Sequence, residues 1–306
     1  MRAPAAVLLV CLLALASPSA AIEGGPASSC FLIVGGLGGE PDYEQRFVSY
    51  TQDLEKIARA MTSDPARVIA LSGKAATRSA IQGALEKLAR GMGAPDTLVV
   101  FLIGHGSFDG TAYKFNIPGP DLSGPELRAL LDKVPAGRQL IVAATSSSGA
   151  AIEALARENR VVVTATRSGA ERNATVFGRY WVEALRDPAA DGDKTETISA
   201  LEAFKYAEEK VKRFYADQNR LVTEHPRLEG KLAGGVILSR LGSAALAATD
   251  PAQRKLLAQR ESLEQQIDAW KLRKAALPTE QYRRELERLL LELAKVQGAI
   301  EAAAGR

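Results

Sequence analysis

The sequence predicts an α/β fold: a doubly wound, mostly parallel sheet with helices on both faces, followed by a C-terminal α-helical hairpin. Three observations carry that expectation. Five nearly continuous runs of Val, Ile, Leu, Phe and Ala recur at 31–35, 68–71, 98–103, 140–144 and 161–165, as strands covered on both faces require. Stretches with apolar residues three and four apart separate them, so crossover helices join parallel strands with right-handed connections. After residue 250 the chain turns into helix formers rich in Glu, Arg, Lys, Leu and Gln.

Taken in order, the chain begins with Arg2, an apolar run at 5–16 and small residues at 17–21. This is the three-part pattern of a secretory signal peptide cleaved near Ala21. It implies a protein exported across the inner membrane to the periplasm or beyond. The run falls short of the roughly 20 residues of a membrane span, and Val10 before Cys11 argues against a lipid anchor. An α/β domain is expected at 29–240. Its helices fall at 43–61, at 77–90 with Ile81, Leu85 and Leu88, at 125–134 with Leu127, Leu130 and Leu131, and at 150–158. Two more follow at 175–185 and 198–218. A linker at 241–250 leads to a helical hairpin at 251–306. There Leu256, Leu263, Ile267 and Trp270, then Tyr282, Leu286, Leu289, Leu293, Val296 and Ile300, form a heptad seam interrupted at Leu277-Pro278-Thr279, where Thr279 is placed to cap the second helix. Such a hairpin either packs on its own domain or pairs as a coiled coil with a protein partner.

Composition narrows the chemistry. With 306 residues, 46% hydrophobic, the chain buries a real core, and a net charge of +3 gives no reason to expect nucleic acid. Loss of the signal would leave Cys30 as the sole cysteine, and only His105 and His225 accompany it, so neither an internal disulfide nor structural zinc is expected. The glycines after the first strand do not complete G-x-G-x-x-G, and no cofactor is expected. Asp191, Asp193, Thr195 and Glu202 stand at positions one, three, five and twelve of an EF-hand-like loop, but Glu196 occupies position six, where glycine is required. A polar turn capped by Thr197 explains the same residues, and no metal is assigned. His225, before Pro226, reads as a surface turn residue.

Parallel sheets gather functional groups at the carboxyl ends of their strands, and two ends stand out. The third runs into Gly104-His105-Gly106-Ser107, and the fourth into Thr145-Ser146-Ser147-Ser148-Gly149. An apolar strand plus His-Gly, then about forty residues later an apolar strand plus x-x-Ser-Gly, resembles the catalytic core of the caspase-like cysteine peptidases, and in particular the legumain family. Gly35-Gly36-Leu37-Gly38-Gly39 leading to Tyr43, Thr164-Ala165-Thr166-Arg167-Ser168-Gly169, Ala203-Phe204, and Thr223-Glu224-His225-Pro226 are similar to bacterial legumain-like domains. The resemblance spans about 29–240 and implies a caspase-like fold. It assigns His105 to the catalytic histidine, Gly106 to an oxyanion N–H, and Ser146 to the position of the nucleophilic cysteine. Arg167, Ser168 and Glu44 are implied to line the substrate groove. Glu44 follows Tyr43 where relatives that cleave after asparagine carry arginine, and Arg46 comes two positions later.

The departure at Ser146 matters most. A thiol ionises near ~8.5 and is partly thiolate at neutral pH, whereas a serine hydroxyl needs an aligned base. No sequence neighbour supplies a carboxylate to orient His105. The expectation is therefore a pseudopeptidase that binds an extended peptide or protein segment. The rivals are a hydrolase acting through Ser146 and His105 in proteolysis, and a structural coiled-coil scaffold.

Overall fold

The computed structural model describes residues 28–304; the expected signal sequence lies outside them. The fold is α/β. Five parallel strands form its centre: β1 (Ser29–Gly35), β2 (Val68–Ser72), β3 (Thr97–Ile103), β7 (Arg138–Ala144) and β8 (Arg160–Thr164). An antiparallel edge strand, β10 (Arg227–Glu229), completes the order β10-β8-β7-β3-β1-β2. Because both faces are covered, alternation along each strand divides the apolar residues between two cores rather than between core and solvent.

On one face Phe31, Ile33, Val99, Phe101, Leu140, Val142 and Val163 pack against Leu54 of α1 (Pro41–Met61), Phe177 and Trp181 of α5 (Phe177–Ala184), and Ala203, Ala207 and Val211 of α6 (Ala200–Asp217). On the other, Leu32, Val34, Leu98, Val100, Leu102, Ile141 and Val162 meet Ile81, Leu85 and Leu88 of α2 (Arg78–Ala89), Leu127 and Leu131 of α3 (Gly124–Leu131), and Leu155 of α4 (Ile152–Leu155). Full burial of each Val, Leu, Ile or Phe among them contributes about 1.5–3 kcal/mol, so strand identity is strongly fixed.

Register then sets the site. Gly35 pairs with Ile103 and Ile103 with Ala144, while Ala143 pairs with Thr164. The residues that follow these strands consequently emerge side by side along the carboxyl edge.

Short elements depart from the sequence expectation. The fourth crossover helix shrinks to α4, preceded by a 3-10 turn at Ser148–Ala151. A three-stranded antiparallel sheet follows His105: β4 (Gly106–Phe108), β5 (Tyr113–Phe115) and β6 (Leu122–Ser123). A further pair joins β9 (Thr197–Ser199) to β11 (Ile237–Arg240). Ser199, rather than Thr197, caps α6: its hydroxyl accepts from Glu202 N while the Glu202 carboxylate accepts from Ser199 N, a complete capping box. After α7 (Gly242–Ala247), helices α8 (Pro251–Leu272) and α9 (Thr279–Ala304) pack along Leu263, Ile267, Trp270, Leu286, Leu289, Leu293, Val296 and Ile300. Trp270 stacks on Tyr282 at 6.5 Å and donates Nε1–H to its carbonyl at 3.1 Å. Leu256 stays outside that cluster. No helix of the described residues is long and apolar enough to cross a membrane.

Candidate active site

His105 leaves β3 at the centre of the carboxyl edge. Its ring stands edge-on to Tyr43 at 4.9 Å and Phe47 at 5.1 Å, both from the start of α1. Its Nε2 lies 3.1 Å from the Gly38 carbonyl. The loop that provides this carbonyl is closed by Glu44, whose carboxylate accepts from Gly38 N at 2.9 Å. Glu44 thus turns back onto its own loop, and Arg46 stacks over the face of Tyr43 at 5.0 Å.

Gly106 brings the histidine strand against the serine turn. A Cβ at this position would fall 2.5 Å from the Ser146 carbonyl oxygen and 2.7 Å from both Thr145 Oγ1 and the Tyr113 ring, so any larger residue would push the two segments apart. Tyr113 fixes the same corner through a 2.8 Å hydrogen bond to Thr145 Oγ1, which donates in turn to the Ser146 carbonyl at 3.1 Å. The structure therefore brings His105, Gly106 and Ser146 together at the backbone. Among the described residues, however, no hydrogen bond joins His105 to the Ser146 hydroxyl, and Ser146 is only 4% exposed.

The serine turn is rigidly built. Ser147 adopts a left-handed conformation, φ 55°, with its hydroxyl buried and unpartnered. Ser148 Oγ accepts from Ala165 N at 3.0 Å and Thr166 N at 3.2 Å, tying the end of β7 to the end of β8. Gly149 permits the 165–171 loop to cross directly above it, since a Cβ there would lie 2.2 Å from Arg167 C and Ser168 N. Arg167 is exposed and Ser168 half-buried on this loop.

Two residues beside the turn went unrecognised as site residues in the sequence. Glu171 accepts Ser147 N–H on its carbonyl at 2.8 Å. Its carboxylate takes Arg167 N at 2.8 Å, His225 N at 3.1 Å and the His225 Nδ1 at 2.6 Å. His225, at the surface and outside any helix or strand, also forms half of a histidine–carboxylate pair. Glu224, next to it, is buried and caps α5 by accepting from Val176 N at 2.8 Å and Phe177 N at 3.1 Å. Burial pushes its carboxyl up to about 7, against the lowering effect of those N–H groups. The quoted Thr223-Glu224-His225-Pro226 was the available signal, but only folding reveals Glu171 as its partner.

Cys30 is buried at the opposite, amino end of β1, where burial raises its thiol further from ionisation. It lies at the other end of the parallel strands from His105 and Ser146. Elsewhere, Asp191, Asp193 and Glu202 place carboxylate oxygens within 4.8 Å of one another. Those oxygens already accept backbone N–H groups: Asp191 from Thr195 and Glu196, Asp193 from Thr195, and Glu202 from Gly192 and Asp193. This is a self-closed loop leading to the α6 capping box.

No family model matches the chain, and no curated protein matches it. Among solved structures it is similar to protein GSU0716 from Geobacter sulfurreducens, a structural genomics target, with a TM-score of 0.48 at 15% identity, covering 70% of this chain and all of that one.

Proposed function

We propose that this chain is an exported, legumain-like pseudopeptidase whose carboxyl-edge site binds an extended peptide or protein segment without cutting it. The observation that supports the reading is the close backbone approach of His105-Gly106 to the serine turn, in which the resemblance assigns the nucleophile's position to Ser146. His105 Nε2 is engaged by the Gly38 carbonyl, not by Ser146. A serine nucleophile depends on a base within hydrogen-bond reach, typically about 2.6–3.2 Å. Arg167 and Ser168 would flank the bound segment, and the α8–α9 hairpin would serve a separate protein partner.

The test is digestion of a diverse peptide library by the natural protein, Ser146→Ala and Ser146→Cys, read by mass spectrometry, with peptide binding measured alongside. The reading expects no cleavage by the natural protein, undiminished peptide binding by Ser146→Ala, and cleavage only after Ser146→Cys. Cleavage by the natural protein that disappears in Ser146→Ala would instead establish a serine hydrolase. Neither binding nor cleavage in any form would leave the α/β domain as a mount for the hairpin.

A further inference from the structure

The C-terminal hairpin joins the rest of the protein along an unusual seam. The hairpin has its own apolar cluster, built from Leu263, Ile267, Leu289 and Val296 and separate from both cores of the sheet. The surface of α8 that faces the domain carries polar groups beside the buried Leu257. Arg240 of β11 grips Glu261 with hydrogen bonds of 2.7 and 2.9 Å from Nη2. Gln265 and Asp268 lie over Gly235, whose added Cβ would sit 3.5 Å from Gln265 Cγ and 3.4 Å from Asp268 Oδ2.

Several of these polar groups lack full partners. Arg260 is 6% exposed, yet its Nε and Nη2 make no hydrogen bond, and its nearest carboxylate, Glu264, stands 3.6 Å away. Gln265 Oε1 is buried without a donor. Buried donors and acceptors left unmade each cost free energy, and a guanidinium more than a neutral group. The seam is also poorly filled: a cleft of about 910 Å³ opens between α7, α8 and α9, bordered by Arg260 and Glu264, and one of about 320 Å³ runs between α8 and the start of β1. On the domain side α7 is held by Glu196, which accepts from Ala244 N at 2.9 Å, and residues 248–250 join α7 to α8, where Arg254 Nε donates to the Ala248 carbonyl at 2.7 Å.

We propose that the α8–α9 hairpin is a releasable arm, which swings away at 248–250 by breaking this polar seam while its own core and the sheet stay folded. Release hydrates Arg260, Glu264 and Gln265. The inference is independent of whether the serine turn binds peptide.

Thiol labelling of the full chain in a Cys11→Ser background tests it. Leu257→Cys reports the seam, because Leu257 is 1% exposed and borders the 910 Å³ cleft outside the hairpin's cluster. Leu289→Cys reports the hairpin core and native Cys30 the sheet. The expected result is labelling at 257 at least tenfold faster than at the other two, with a shallower urea dependence, as local opening requires. Glu261→Gln, which weakens the Arg240 anchor, should speed labelling at 257 about tenfold and leave the others unchanged. Equal rates and slopes at all three positions would overturn the proposal, as would labelling at 289 in step with 257, which would mean that the hairpin melts rather than swings. If Leu257→Cys fails to fold, Ala258→Cys, half-buried along the 320 Å³ cleft, replaces it under the same criteria.

Discussion

Replacing Glu224 by glutamine should remove a specific slope from the pH dependence of stability. In the folded protein its carboxyl is pushed from 4.5 to about 7, chiefly because it is buried, with Glu171 adding a repulsive contribution. The folded state therefore holds the Glu224 proton more tightly than the unfolded chain does. Between pH 4.5 and 7 folding takes up a proton, so stability falls as pH rises through that window and levels off on either side. At 1.36 kcal/mol per pH unit the full loss is about 3 kcal/mol. Glutamine stays neutral throughout. It offers one carbonyl oxygen where the carboxylate used both oxygens to cap Val176 N and Phe177 N, which costs a roughly constant 1 kcal/mol. Urea unfolding followed by the fluorescence of buried Trp181 measures both proteins from pH 4 to 8. The stability of Glu224→Gln relative to the natural protein should climb by about 3 kcal/mol across that range. A difference that stays flat would refute the reasoning and show that Glu224 ionises as an ordinary carboxyl. Taking the difference cancels the opposite slope from carboxylates held low by their partners, such as Asp132 beside Arg160 and Glu183 beside Lys210.

Other substitutions follow from the same geometry. Gly149→Ala places a methyl 2.2 Å from the Arg167 backbone, so it should cost about 3 kcal/mol in urea unfolding and shift the amide resonances of 165–171. Ser148→Ala strands the buried N–H groups of Ala165 and Thr166 and should cost about 2–4 kcal/mol, whereas Ser148→Thr should retain part of that stability. Leu289→Ala opens the hairpin core; a loss of about 3 kcal/mol is expected in the transition reported by Trp270, and a transition unchanged from the natural protein would show that the seam of α8 and α9 is not what holds the hairpin.

The long strands were legible because burial on both faces confines their polar residues to the strand ends. Leu98 to Ile103 read as a strand without any knowledge of its neighbours. The placement of His105 and Ser146 at the carboxyl edge was legible for a related reason: each closely follows the last apolar residue of a parallel strand. What failed was whatever depended on contact across sequence. Strands β4, β5 and β6 are two or three residues long, too short to show alternation, and exist because Gly106 pairs with Phe115 and Phe115 with Leu122. Glu171 and His225 are 54 residues apart and meet only through folding. Thr197 looked like a cap because the preceding loop is polar, but β9 pairing with β11 carries the chain two residues further before α6 begins.

The strand register also gives the molecule two distinct poles. His105, Ser146 and Glu171 crowd the carboxyl edge, while Ser28, Thr97 and the docked α8 share a cleft at the amino edge. The central strands that separate the two are seven residues long, or roughly 23 Å at about 3.3 Å per residue. A segment held at one pole and a partner held at the other would therefore occupy opposite ends of a buried slab and would not compete for surface. An arm released as proposed would leave from the pole opposite the serine turn.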